Sequence, residues 1–474
     1  MYERKRINFI TLYILIPLLG MCIAYLLGNS LNIGITFVGG LIGLIILLFC
    51  IAYPKFGFYL LYIIVFFVSF FERLLNTDLH VGLMPKAFTG AILIGILLKK
   101  IIHHHKILLH ANNPITYAYL IYLTYIGLEV FNPNINSPAG WGPVFSGSIL
   151  IFLFYICAIF IFNSKREIKF FLNFWLVLAF ITALYGCCQQ WFGLPSWEYQ
   201  RLLEDPHTYA LFYQNGFLRK YSFLADPPSF GILMATSGIL SFFLALDNTT
   251  TKKRILLTCA GTVMILSMSY SGTRMATAVI AFGIVFFSML TIQNKKTILL
   301  LSTSLIIGIV VMFLPVYGNG VLIRIRSTFR PQDDPSMQVR EVNRMAIRPY
   351  MHSHPIGGGL NTTGGGGLEY YPSHPLAGFP PDGTFMQTAL EQGWIGLIVS
   401  LMVMFCILKY GVHKYYRATT FDEKIVYASI LSVIFSWYMA QYSQTGQGAF
   451  NIVYLYMASL AILVRYHSLC ISTE

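Results

Sequence analysis

About fourteen stretches of roughly 17–25 consecutive apolar residues follow one another along the 474-residue chain, each long enough to cross a bilayer as a helix. They begin near Phe9, Leu31, Gly57, Leu83, Ile115, Ser148, Phe170, Asp226, Ile255, Met275, Ile298, Ala389, Ile425 and Asn451. In lipid only helices and closed barrels satisfy their own backbone hydrogen bonds, and the runs lack the strict alternation of a barrel strand. The succession therefore predicts an all-α, polytopic transmembrane helical bundle. Composition agrees, since 11% of the residues are charged where a soluble domain carries about a quarter. The expected organisation is transmembrane helices 1–11 over residues 1–316, a polar loop with short helices over 317–387, and helices 12–14 over 388–474.

The connections between runs alternate in charge. Lys99-Lys100 to Lys106, Lys165-Arg166, Lys252-Lys253-Arg254, Lys295-Lys296 and Lys414 to Arg417 fall on one side, with Glu3-Arg4-Lys5-Arg6. The positive-inside rule makes that side cytoplasmic and predicts both termini inside. The run from Phe9 to Leu27 is too long for a signal-peptide core and lacks a small-residue cleavage pattern, so it is expected to be a retained span. The formal charge of +13 reads as orientation and contact with anionic membrane lipids; no nucleic-acid module is visible. His103 to His105 form a solvated inner loop. The eight cysteines have the spacing of neither a zinc site nor a disulfide framework and read as packing residues.

Two outside segments are long, Pro195 to about Leu224 and Tyr317 to about Gln387. The second holds Arg324, Arg326, Arg330, Arg340, Arg344 and Arg348 but no lysine. Arginine offers a planar fork to phosphate or carboxylate where lysine offers a point charge. Asp334 and Pro335 predict a helix start, and Pro349 predicts its end near Ile347. Arg340 and Arg344 then share one face, with Arg348 at the end. Gly357 to Gly359 and Gly364 to Gly367 predict a mobile or tightly turned segment. Elsewhere on the same side, Arg219-Lys220 precedes a span that Asp226 can cap at Pro227, and Arg274 in "SGTR" precedes another. Helix N-termini and arginines together favour an anion, and the cluster is large enough for a diphosphate. The alternatives are that Arg274 snorkels to headgroups and that the loop arginines pair with Glu341 or Asp334 on a solvated face.

The order of an "SGTR" turn, a large outside loop with "NRMAIRPYMHSHPIGGGLNTTG", and "DGTFMQTALEQGWIGL" leading into the next span resembles the O-antigen ligase and polymerase family of bacterial polysaccharide assembly. The resemblance covers roughly residues 170–410. It implies a GT-C-like bundle in the bacterial inner membrane and a metal-independent, cofactor-free glycosyl transfer at the periplasmic side. The donor it implies is an undecaprenyl-diphosphate-linked glycan. The acceptor is another glycan in a polymerase or a lipid A core glycolipid in a ligase, with other polysaccharide assembly proteins as possible partners. Arg219 and Arg274 match arginines of that family thought to hold the donor diphosphate. Where typical ligases place a catalytic histidine this chain has Asp382, which favours a polymerase.

Transfer from a diphosphate needs neutralisation of the leaving group and a base for the attacking hydroxyl. Arg219, Lys220, Arg274, Arg340, Arg344 and Arg348 are candidates for the first. Asp382, Glu391, His352, His354 and His374 are candidates for the second. Each has a plainer alternative: Asp382 as an N-cap before the helix that follows Gly383, Glu391 as partner of a buried arginine, the histidines as solvated side chains. Tyr370 and Tyr371 can stack on sugar rings or belong to an interfacial belt. A transporter or flippase is the rival class, but no internal repeat is found and the charges gather at one surface.

Overall fold

The computed structural model describes residues 31–75, 82–102, 111–214, 216–247, 249–313, 325–326, 335–444 and 450–471. The run from Phe9, the histidine run, Arg324, Arg330 and the Asp334 cap lie outside the described residues. The first six helices among the described residues are α1 (Leu31–Ala52), α2 (Pro54–Leu75), α3 (Leu83–Ile102), α4 (Pro114–Leu128), α5 (Trp141–Ile161) and α6 (Lys165–Trp191). Two short helices, α7 (Ser196–Glu204) and α8 (Pro206–Phe212), and a two-residue hairpin pairing Tyr213–Gln214 with Phe217–Leu218 follow. Four long helices come next: α9 (Pro227–Ala245), α10 (Thr251–Ser269), α11 (Arg274–Thr291) and α12 (Lys295–Phe313). The polar insertion holds α13 (Pro335–Ser353), α14 (Gly364–Tyr370) and α15 (Thr384–Glu391), and α16 (Gly393–Arg417), α17 (Phe421–Ala440) and α18 (Phe450–Ile471) close the chain. Among the described residues nine helices are long and apolar enough to cross a membrane, so the protein is an all-α polytopic membrane protein.

Local chemistry starts these helices where the sequence places Ser, Thr, Asn or Asp. Ser164, Thr250 and Thr420 each accept a hydrogen bond from a backbone N–H three residues on, satisfying one of the donors a helix start leaves open. Asp226 caps α9 as expected, accepting from Ser229 N at 2.7 Å. Packing then separates lipid-facing from central elements. Of the most apolar stretch of α9, 78% is buried, against 6% for α12. Helix α9 is the hub, flanked by α6, α10, α11 and α17.

Cross-chain contacts sort the connections onto two faces. On one face Lys55 pairs with Glu167, Lys169 lies 3.9 Å from Asp422, and Lys296 Nζ donates to Leu246 O at 3.1 Å. His467 Nδ1 meets Glu423 at 2.8 Å on the same face. On the other, Arg73 donates to Ser222 O, Arg201 to Glu72 O, and Lys220 N to Tyr270 O. Asn132 donates to Ile356 O and Thr384 to Gln444 O there as well. These are the lysine-rich and the polar connections that the charge alternation assigned to opposite sides.

Two local expectations are corrected. Helix α13 does not end near Ile347 but continues through Pro349 to Ser353. Ile347, Tyr350 and Met351 pack with Leu376 and Leu390, and Ser353 Oγ donates back to Pro349 O at 3.0 Å. This burial offsets the hydrogen bond the proline removes. The glycines Gly364 to Gly367 form the start of α14 instead of a mobile or turned segment. They serve close approach: a Cβ on Gly367 would sit 2.1 Å from Thr362 O.

Candidate active site

The "SGTR" motif is a tight junction between α10 and α11. Gly272 has φ +59°, the left-handed conformation that costs a residue with a Cβ. Ser271 Oγ donates to Met268 O at 2.7 Å and accepts from Thr273 N at 3.1 Å. Thr273 Oγ1 then donates to Pro227 O at 3.2 Å, tying the N-terminus of α11 to that of α9. Arg219 lies across this junction, its Nε donating to Ser271 O at 2.9 Å and its Nη2 to Thr273 Oγ1 at 3.1 Å. Arg219 and Lys220 therefore meet the turn that leads into α11, whose first residue is Arg274. Lys220 is buried at 8% exposure, and burial pulls its pKa below the ordinary lysine value. Among the described residues no carboxylate lies within ion-pair distance of its ammonium, which sits 5.9 Å from the Phe217 ring. The side chain of Asp226 occupies the start of α9, while Thr273 makes no side-chain cap at the start of α11.

A second centre sits on the C-terminal end of α17. Phe421, at the start of α17, lies under Lys296 on the lysine-rich face, so Ala440 at its end rises to the polar face beside α11, with which it packs. Just beyond, Gln444 O accepts from Thr384 N at 3.1 Å, holding the start of α15. Arg344 stacks its guanidinium 5.1 Å over the Tyr442 ring and donates to its hydroxyl at 3.2 Å. Arg340 Nε lies 3.6 Å from Asp382 Oδ1, while Asp382 Oδ2 is buried with no hydrogen-bond partner. Burial raises the Asp382 pKa, and the nearby Arg340 and Arg344 pull it partly back. Asp382 is therefore not the N-cap of α15, a position Gly383 takes; its backbone partner would have been a helix N–H, and its actual partner is an arginine. Arg344 also reaches Glu341 at 4.0 Å.

The remaining candidate residues separate. Glu391 is 2% exposed and has no arginine partner. Its carboxylate accepts from Thr363 Oγ1, from Asn361 N at 3.1 Å and from Gln387 Nε2 at 3.1 Å. Burial raises its pKa against those hydrogen bonds. It anchors the segment after Gly359 and faces no opening. His352 is exposed, its ring 6.4 Å from that of Trp394. His354 stacks on Tyr350 at 4.0 Å and lines a cavity of about 330 Å³ with Tyr370, Tyr371 and His374. Arg348 is exposed near the end of α13. Neither histidine joins Asp382.

Sequence reasoning missed Tyr442, Thr273 and the loop from Asn132 to Gly140. A short Asn- and Pro-rich stretch between apolar runs was the only available signal for that loop, a lone tyrosine gave none, and Thr273 was quoted within "SGTR" without a role. Among the described residues no group of three or more His, Cys, Asp or Glu gathers as a metal site.

Apolar helices long enough to span a bilayer, with a polar insertion carried on one face, define a multi-pass membrane protein. Residues 259–401 match the family profile described as O-Antigen ligase. The matched stretch runs from within α10 through the "SGTR" turn and the polar insertion into α16. Over that stretch the chain is similar to O-antigen ligases, which supports a membrane glycan-processing role of the ligase and polymerase type. No curated protein matches the chain.

Proposed function

We propose that the protein is a glycosyltransferase that moves a glycan from undecaprenyl diphosphate to an acceptor sugar hydroxyl, and that it extends glycan chains as a polymerase. The observation that carries this reading is Arg219, which hydrogen-bonds across the start of α11 at Ser271 and Thr273 beside the buried side chain of Lys220. In the reaction the acceptor oxygen bonds to the anomeric carbon, and the bond from that carbon to the phosphate oxygen breaks. The electron pair leaves with the diphosphate, where Arg219, Lys220 and Arg274 neutralise it without a metal ion. Asp382 takes the proton of the acceptor hydroxyl. Its raised pKa brings it nearer the working pH and makes it a more effective base than an ordinary aspartate. Arg340 and Arg344 fix its carboxylate and complement the departing charge. The polar face is periplasmic in this reading, and the membrane is the bacterial inner membrane.

A ligase uses the same chemistry with a lipid A core or other acceptor, and the family description favours it; the aspartate at the place of the ligase histidine favours the polymerase. Lipid-linked intermediates from a deletion strain decide between them. Accumulation of single repeat units on the carrier is expected. Finished chains left on the carrier would mean a ligase, and an unchanged carrier pool would contradict transfer altogether.

A further inference from the structure

The cavity beside His354 lies apart from both ionic centres. Along α13, Tyr350 follows Arg340 by about 15 Å and Arg344 by about 9 Å, from a rise of about 1.5 Å per residue, and His354 lies just past the helix end. One wall comes from the connection between α4 and α5, with Asn134, Asn136 and Ser137, and the other from Tyr350 to Pro375. The walls are fixed to each other. Tyr371 Oη donates to Ser137 O at 2.9 Å and accepts from Gly140 N at 3.0 Å. Asn134 Nδ2 donates to Gly357 O at 2.6 Å.

The lining has a distinct chemistry. It offers the aromatic rings of Tyr350, Tyr370 and Tyr371, the amides of Asn134 and Asn136, and the hydroxyl of Ser373, with no Asp, Glu, Lys or Arg. His374 does not supply charge. His374 Nδ1 accepts from Leu376 N at 3.2 Å, which puts the ring proton on the other nitrogen of a neutral imidazole. Burial and the proximity of His354 lower the His374 pKa in the same direction. Such a cavity rejects a diphosphate or an acidic sugar, whose charge would lose its hydration without a counter-ion. It suits a ring with one apolar face to lie on an aromatic side chain and an edge of hydroxyls to meet amides. At about 330 Å³ it falls at the small end of ligand pockets, which run from roughly 300 to 1,000 Å³.

We propose that this cavity binds an uncharged sugar unit of the glycan, several units away from the one that reacts. The inference rests on the glycan-transfer reading for its physiological ligand. Binding at a remote unit holds the chain on the enzyme and lets its binding energy serve the reacting end. Chains long enough to reach the cavity are then retained in preference to short ones.

The probe is neutral oligosaccharide of several units, released from its carrier, added to the purified full-length protein and followed by saturation-transfer NMR. Ser373→Trp, which fills the cavity from an exposed loop, and Tyr370→Ala, which removes a ring, are each expected to weaken binding about tenfold or more, the loss of one good aromatic contact. Arg274→Ala is expected to bind the oligosaccharide as the wild type does. Equal binding by wild type and Ser373→Trp, absence of binding by the wild type, or preference for an acidic oligosaccharide would overturn the proposal. The two readings fail separately. Cavity-dependent binding in a protein that transfers nothing from the carrier sinks the transfer reading alone. Arg274-dependent transfer with oligosaccharide binding untouched by Ser373→Trp sinks the cavity alone.

Discussion

Asp382 shows how one side chain acquires a poised chemistry. Its side chain is largely enclosed, one oxygen faces Arg340 at 3.6 Å and the other is buried without a hydrogen-bond partner. Burial disfavours the charged form and raises the pKa, while the two arginines favour the charged form and limit the rise. If the carboxylate is the base, turnover rises with pH through a value above the ordinary aspartate range. Arg340→Gln removes a stabiliser of the charged form, so the acid limb of the profile moves to higher pH. Asp382→Asn removes the limb along with most of the turnover. A pH profile of kcat per folded molecule checks this, and a limb that stays in place in Arg340→Gln assigns the base elsewhere. Arg340 and Asp382 were both legible as polar residues on one side of the membrane. Their pairing was not, because they lie far apart in sequence and meet only through the docking of α13 on α15 and the end of α17.

At the scale of elements, helix starts were the most legible part and loop interiors the least. Asp226 acts locally, and a cap needs nothing beyond the next few residues. Pro349 and Gly364 to Gly367 failed as signals because their local cost is overridden by packing the sequence does not display, the apolar cluster around Ile347 in one case and the close approach to Thr362 in the other. Glu391 is the clearest such device. One buried carboxylate holds the chain at Asn361 and Thr363 against α15, and so sets the floor of the insertion. Glu391→Ala strands Thr363 Oγ1, the Asn361 N–H and Gln387 Nε2 without their acceptor, at about 1–3 kcal/mol for each buried donor left unmade. Glu391→Gln keeps an acceptor oxygen and is expected to lose much less. Thermal unfolding in detergent should rank wild type above Glu391→Gln and both well above Glu391→Ala. An unchanged transition in Glu391→Ala would remove the anchor from the account.

At the scale of the whole molecule, the apolar runs and the alternation of lysine gave the bundle and its two faces before any contact was known. The burial gradient from α12 to α9 was not legible, since both helices are apolar and only tertiary packing decides which one meets lipid. Absolute orientation follows from the positive-inside rule. In a cysteine-depleted background, Ser373→Cys is expected to be labelled from outside the cell and Lys253→Cys only after the membrane is opened. Labelling of both from one side would reverse or break the topology. The central claim is that the junction of α9 and α11 holds a leaving diphosphate by its cationic side chains. Its most direct test is transfer from a carrier-linked glycan, per folded molecule and in the presence of a chelator, for wild type, Arg274→Ala and Arg274→Lys. A charge-assisted contact contributes on the order of 1.5–3 kcal/mol, so Arg274→Ala should lower turnover about tenfold to a hundredfold or more. Arg274→Lys should recover only part of it, because the ammonium keeps the charge and loses the fork. Full specific activity in Arg274→Ala, or wild-type transfer abolished by the chelator and restored by a divalent ion, would contradict the account.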